Sequence, residues 1–158
     1  MQTGKPSLVG LLIGMITIVA LPAVADSPAT VPANGARSTI TVRIEALRNN
    51  QGTVYVSLYQ DKKAFADNKN ALASGQAKPT NQTAQVEFKN IVPGNYALSF
   101  IHDENNNQKL DTNFIGIPKE GFGFSKDATG KFGPPKYDDA VVNVPAGPVT
   151  IVMRTKYM

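Results

Sequence analysis

Apolar and polar residues alternate with a period of two along most of this chain. Ile40, Val42, Ile44 and Ala46 fall on one side of the pattern and Thr39, Thr41, Arg43 and Glu45 on the other, which predicts a half-buried strand. Val54, Val56 and Leu58 against Tyr55, Ser57 and Tyr59 predict a second strand, and the Asn49-Asn-Gln-Gly52 turn predicts that the two form a hairpin. Gln82 to Lys89 alternates through Ala84, Val86 and Phe88. Tyr96, Leu98 and Phe100 follow after Asn90-Ile-Val-Pro-Gly94, a tight turn in which Gly94 is expected to offer positive φ. Ala140–Val144 and Val149–Arg154 lie on either side of Pro145-Ala-Gly-Pro148.

Two stretches break the alternation. Asp61 to Ser74 predicts a short helical crossover, capped by Asp61, with Phe65 and Leu72 on one face at i, i+7. From His102 to about Asp138 the chain predicts a long ordered loop, with a short seventh strand near Phe114–Ile117. Six or seven short strands, Gly/Pro turns and no βαβ rhythm predict an all-β fold, a Greek-key β-sandwich of Ig-like or prealbumin-like type.

The amino terminus predicts processing, not structure. Lys5 precedes the uncharged run Leu8–Leu21, and Pro22-Ala-Val-Ala25 gives a small-x-small site before Asp26. An apolar run of this length covers about 21 Å as a helix, against about 30 Å of hydrocarbon core. The expectation is a signal peptide at 1–25, cleaved after Ala25, then a disordered lead-in at 26–37 and one domain at 38–156. That places the protein outside the cytoplasm, periplasmic or extracellular, with no membrane span after cleavage.

Composition narrows the chemistry. The chain has no cysteine, which excludes a thiol nucleophile, a redox pair and thiolate metal sites. Its formal charge of +4 is scattered, with Lys62-Lys63 the longest basic run, so no stripe is available to track nucleic acid.

The candidate chemistry lies in His102-Asp-Glu-Asn-Asn-Asn-Gln-Lys-Leu-Asp111. Counting Asp103 as the first position, Asn105, Asn107, the Lys109 carbonyl and Asp111 take the odd positions of a Ca²⁺ loop, because a tight loop turns every second oxygen toward a common point. Gln108 stands where such a loop favours Gly, and Phe114 where it places a bidentate Glu, so any closing carboxylate comes from Glu104, Glu120, Asp138 or Asp139. The same residues also suit Asx-turns that fold the loop without metal. Both readings are open, and Ca²⁺ is the cofactor that the first implies.

His102 is the sole histidine. With Asp103 or Ser125 it would make a small hydrolase-like enzyme, the alternative to a non-enzymatic binding module. Phe122, Phe124, Phe132 and Tyr137 either pack onto the sandwich or form an aromatic surface for a protein, peptide or saccharide.

The segment Val86-Glu-Phe-Lys-Asn-Ile-Val-Pro-Gly-Asn-Tyr96 resembles a turn of prealbumin-like and Cna-B-like sandwiches. Together with His102-Asp-Glu-Asn, Leu110-Asp, Gly116-Ile-Pro-Lys-Glu-Gly-Phe-Gly-Phe-Ser125 and Phe132-Gly-Pro-Pro-Lys-Tyr-Asp-Asp-Ala140, it resembles the exported bacterial family called domain of unknown function 2141. The resemblance spans roughly residues 38–155 and implies a secreted or periplasmic β-sandwich without an assigned activity.

Overall fold

Among the described residues, eight strands form two facing sheets. The computed structural model describes residues 35–131 and 133–158; the expected signal peptide, most of the lead-in and Phe132 lie outside the described residues. In chain order the elements are β1 (Ser38–Glu45), β2 (Thr53–Tyr59), α1 (Lys62–Asp67), β3 (Ala73–Ala77), β4 (Ala84–Ile91), β5 (Gly94–Asp103), β6 (Gly121–Phe124), a 3₁₀ turn (Ser125–Asp127), α2 (Tyr137–Ala140), β7 (Val142–Val144) and β8 (Gly147–Arg154). One sheet has the order β4-β1-β8, and the other runs β3-β2-β5-β6 with β7 also on β5. β1 pairs antiparallel with β4 and parallel with β8. The first four strands thus take the spatial order 4-1 | 2-3 of a Greek key divided between two sheets. The all-β sandwich expected from the alternation is the observed fold.

The core lies between the sheets and collects the apolar positions of the alternating segments. Ile40, Val42 and Ile44 of β1 face Val54, Val56 and Leu58 of β2 and Leu98 and Phe100 of β5. Completely burying such side chains stabilises by about 1.5–3 kcal/mol each, which fixes strand register, since a one-residue slip would turn every one of them to solvent. Tyr96 is buried in the same core, and its hydroxyl donates to the Val92 carbonyl at 2.6 Å. This ties the β4–β5 corner in the manner of a tyrosine corner.

A second, smaller cluster covers the outer face of the five-stranded sheet. Tyr59, Phe65, Ala97 and Ala140 are buried there, with Phe124 and Tyr137 packed against them. The Phe65 ring meets Tyr59, Phe124 and Tyr137 edge-on at centroid distances of 5.6, 5.8 and 5.8 Å.

Several local expectations need correction. The first two strands are not a hairpin. β1 and β2 lie in different sheets, and the connection crosses the sandwich, carrying Leu47 into the core. The helix ends at Asp67, stopped by Asn68 in the left-handed region, so Leu72 does not share a face with Phe65 and is exposed. Its cap is as expected: Asp61 Oδ1 accepts from Ala64 N at 2.7 Å. Ala73–Ala77, which overlaps only the end of the expected crossover, is a strand held by pairing along β2 although it has no β-branched or aromatic residue. Phe114–Ile117 lies in a turn, and the extra strand is Gly121–Phe124. In the β4–β5 corner the left-handed residue is Asn90 at φ 59, not Gly94. The glycines of Gly121-Phe-Gly-Phe124 serve close packing instead of turning: a Cβ on Gly123 would strike the Phe100 ring, and one on Gly121 would strike Thr155 and Tyr157.

Candidate functional site

The end of β5 carries His102 and Asp103, both completely buried. His102 continues the inward face of β5 beyond Phe100, and its two ring nitrogens are engaged. Nε2 lies 2.8 Å from the Gln51 carbonyl, which can only accept, so this nitrogen carries a proton. Nδ1 lies 3.0 Å from the Tyr157 hydroxyl, which itself accepts from Arg48 N at 3.0 Å. The Tyr157 proton is therefore available to Nδ1. Burial pushes the Tyr157 phenol up, which keeps that proton in place. The Arg48 guanidinium stacks over the Tyr157 ring at 4.6 Å.

Asp103 folds the loop that follows it. Its Oδ1 accepts from Asn107 N at 3.1 Å and its Oδ2 from Gln108 N at 2.7 Å. Asn105 Oδ1 accepts from Asn107 N, and Asn107 Oδ1 from Lys109 N, each at 3.0 Å. These are Asx-turns in series, and they let the non-glycine residues Asn106 and Gln108 sit at φ 60 and 66.

Glu120, also buried, clasps the loop at both ends: Oε1 accepts from Glu104 N and Oε2 from Asp111 N, each at 2.9 Å. Glu104 turns the other way. Its Oε2 accepts from Asn49 Nδ2 at 2.7 Å and Arg48 Nε at 3.1 Å, and its Oε1 is ion-paired with Arg48 Nη2 at 2.8 Å without hydrogen-bond alignment. The hydrogen bond that Arg48 donates to Glu104 raises the guanidinium above its ordinary value. Lys78 Nζ fastens the outer side, reaching Gly52 O at 3.0 Å, Thr53 Oγ1 at 2.9 Å and Asn106 Oδ1 at 3.3 Å.

The predicted cation ligands Asp103, Asn105, Asn107 and Asp111 do come together, but with hydrogens between them. Asn105 Nδ2 donates to Asp111 Oδ2 at 2.6 Å, and Asn107 Nδ2 to Asp111 Oδ1 at 2.9 Å. These two bonds, with Asn107 the larger, hold the Asp111 carboxyl below the usual carboxylate range. A Ca²⁺ requires oxygens aimed at one point, and here amide hydrogens occupy the space in front of Asp111. Lys109 contributes its N–H to Asn107, and among the described residues no trio of His, Cys, Asp or Glu is grouped to hold a metal.

Asp138 and Asp139 lie elsewhere. They follow Tyr137, whose hydroxyl contacts the Gln60 and Asn95 carbonyls at 3.1 and 3.2 Å. Asn95 and Asp103 are eight residues apart on β5, about 26 Å along the strand. Asp138 is instead paired with Lys62 at 2.7 Å.

Ser125 is buried near the middle of β5. Its Oγ accepts from Leu98 N at 2.9 Å and donates to the Ala140 carbonyl at 2.5 Å. Leu98 is four residues from His102, about 13 Å along the strand. His102 and Ser125 are therefore not brought together, and no hydroxyl other than that of Tyr157 reaches the imidazole among the described hydrogen bonds. Of the aromatic candidates, Phe124 and Tyr137 pack around Phe65, and Phe122 is half-buried beside Phe124 at 6.3 Å. A surface groove of about 360 Å³ is lined by Arg43, Lys78, Thr83 and Gln85, and none of His102, Asp103 or Ser125 borders it.

What the alternation did not single out is the far side of the loop. Thr112 and Pro118 bridge, Lys119 N donates to Asp111 O at 2.8 Å, and between these arms Phe114, Ile115 and Ile117 are exposed by 99%, 65% and 40%. Asn113 holds the tip in shape: its Oδ1 accepts from Ile115 N at 3.0 Å and Ile117 N at 2.9 Å, and its N–H donates to Ile117 O at 2.8 Å. The signal was present in the sequence as Asn113 and Gly116 framing an apolar pair, which is turn chemistry. Tyr157 and Gln51 left no comparable signal, because each reaches His102 across more than 50 positions.

Among protein families, one described as an uncharacterized protein conserved in bacteria matches residues 42–152. No curated protein matches the chain. Among solved structures, a pilus-presented adhesin, Spy0125 (Cpa), aligns with 9% identity and a TM-score of 0.25. The alignment covers 76% of this chain and 27% of that one, so the chain spans about a quarter of the adhesin's length; a likeness at that score carries no argument.

Proposed function

The chain belongs to the domain of unknown function 2141 (DUF2141) family of bacterial proteins, and on that premise we propose an exported, non-catalytic β-sandwich module that works by contact. The amino-terminal 25 residues are its cleaved signal, residues 38–156 its single domain, and the loop between β5 and β6 its working part. The Asx-turn network closes this loop without a cation. What supports the proposal is one observation: the apolar triplet Phe114, Ile115 and Ile117 is exposed on a turn that Asn113 hydrogen-bonds into shape, at no visible benefit to the fold. The candidate catalytic groups point the same way, since His102, Asp103 and Ser125 are buried with their hydrogen-bonding capacity spent on the fold. Among the described residues no helix is long and apolar enough to cross a membrane.

A photoreactive phenylalanine analogue placed at position 114, and separately at Val152 on the exposed face of β8, tests the contact role in intact cells. Adducts that form from position 114 and not from 152 are expected, with the mature protein beginning at Asp26. Equal labelling from both positions, or none from 114, would remove the loop as the working part. Phe114→Ser is expected to leave thermal stability unchanged to within about 0.5 kcal/mol, because an exposed ring contributes little to the fold.

A further inference from the structure

We infer that the Asp111–Lys119 finger is a membrane-insertion tip, and that its partner is the surface of a bilayer containing anionic phospholipid. The inference rests on the contact role proposed above and names the partner. Three features of the finger select a lipid surface over a protein groove.

The first is shape. Phe114 is 99% exposed, and a Cβ added at Gly116 would meet no atom within 4 Å, so the tip stands clear of the domain. The flanking residues Asn105, Asn106, Asn107 and Gln108 are exposed and polar. A stable protein contact needs about 800 Å² per partner with an apolar centre, which a narrow finger rising from amide side chains does not supply. Phe114 lies three positions beyond Asp111, about 10 Å of extended chain. That reach matches the 5–10 Å to which interfacial apolar groups enter the headgroup and acyl boundary.

The second is the state of the tip's backbone. Entering hydrocarbon is costly for an unpaired N–H. Here the N–H groups of Ile115 and Ile117 are taken by Asn113 Oδ1, and that of Gly116 by the Asn113 carbonyl at 3.0 Å. The turn can leave water without stranding these donors.

The third is charge. Lys109 and Lys119 both act on the Asp111 carboxylate and are exposed, and neither forms an ion pair among the described residues. Asp103, Glu104 and Glu120 also lie at this end, but Asp103 and Glu120 accept loop N–H groups and Glu104 is paired with Arg48. Over residues 109–119 two lysines against one carboxylate leave a net positive charge beneath an apolar tip. Lys side chains can lay their stems along the acyl boundary and keep the ammonium at headgroup level.

The chain has no tryptophan, so a single substitution gives an unambiguous fluorescent reporter. Phe114→Trp is mixed with vesicles of phosphatidylethanolamine and phosphatidylglycerol, and separately with phosphatidylcholine alone. Val152→Trp serves as the control face, and every variant carries the same amino terminus. Expected is a blue shift and protection from aqueous quencher for Trp at 114 with the anionic vesicles only, and no shift at 152. Phe114→Ser/Ile115→Ser/Ile117→Ser should weaken co-flotation with those vesicles at least tenfold, and Lys109→Gln/Lys119→Gln about tenfold at low salt. No shift at position 114, or co-flotation that survives the triple substitution, overturns the lipid assignment. Should position 114 label a protein in cells while giving no vesicle shift, the contact role stands and the lipid assignment falls. If position 114 labels nothing and no shift occurs, both fall.

Discussion

The base and the tip of the β5–β6 loop invert each other. At the base, polar groups are buried: His102, Asp103 and Glu120 have almost no exposed surface, yet each hydrogen-bonds to backbone or to another buried group. At the tip, some ten residues on, apolar groups are exposed: Phe114 and Ile115 touch water although two sandwich cores are available to bury such side chains. An exposed apolar cluster or a buried polar one is the informative case, because either costs stability unless something compensates. At the base the compensation is visible in the hydrogen bonds, so those residues belong to the fold. At the tip nothing among the described residues compensates, and the proposed external partner would supply what is missing. The likeness of His102, Asp103 and Ser125 to catalytic groups is therefore the weaker clue, and the exposed finger the stronger one.

Breaking the base should cost far more stability than altering the tip. Asp103→Ala leaves the Asn107 and Gln108 N–H groups without their charged acceptor and is expected to destabilise by about 2–3 kcal/mol. Thermal unfolding would show this as a midpoint lowered by roughly 10 °C. A loss under about 0.5 kcal/mol would mean that the loop folds by other means. Glu120→Gln is a milder cut. The amide keeps one acceptor for Glu104 N or Asp111 N and sets a donor against the other, losing that bond, for about 1–2 kcal/mol.

Acid sharpens the comparison further. The Asp111 carboxyl is held below its ordinary value by Asn107 and Asn105. A carboxylate depressed in the folded state contributes stability that is full above its unfolded value and lost as pH falls through the folded one. The Asn105 and Asn107 side-chain amide resonances should therefore stay shifted through the usual carboxylate titration and relax only below it. The effect on global stability should be small, because the half-buried Asp111 is still screened by solvent.

How much of this was legible beforehand depended on the range of the interactions. β1, β2, β4, β5 and β8 showed themselves because each buries alternate Val, Ile, Leu or Phe residues on one face. β3 did not, since Ala-Ser-Gly-Gln-Ala has no intrinsic strand preference and forms by pairing along β2. β6 was obscured because its inward residues are glycines, chosen for the space that Phe100 and Tyr157 leave. The turn at Asn49–Gly52 was visible, but its two strands were assigned to each other when they belong to opposite sheets. In the loop, the odd-position spacing of Asp103, Asn105, Asn107 and Asp111 did mark residues that converge. Whether oxygens or amide hydrogens meet there is decided by side-chain rotation, which spacing leaves open. Glu120, one of the acids that could complete a cation loop, accepts two loop N–H groups, a role that spacing does not reveal.

The most direct test of the central claim is amide hydrogen exchange across the loop, with EDTA present throughout. If the loop is closed by its own Asx-turns and by Glu120, the amides of Glu104, Asn107, Gln108 and Asp111 should be protected without any added ion, and millimolar Ca²⁺ should change nothing. Unprotected exchange at these four positions in EDTA, with protection appearing only on adding Ca²⁺, would contradict the account and return the loop to a cation site.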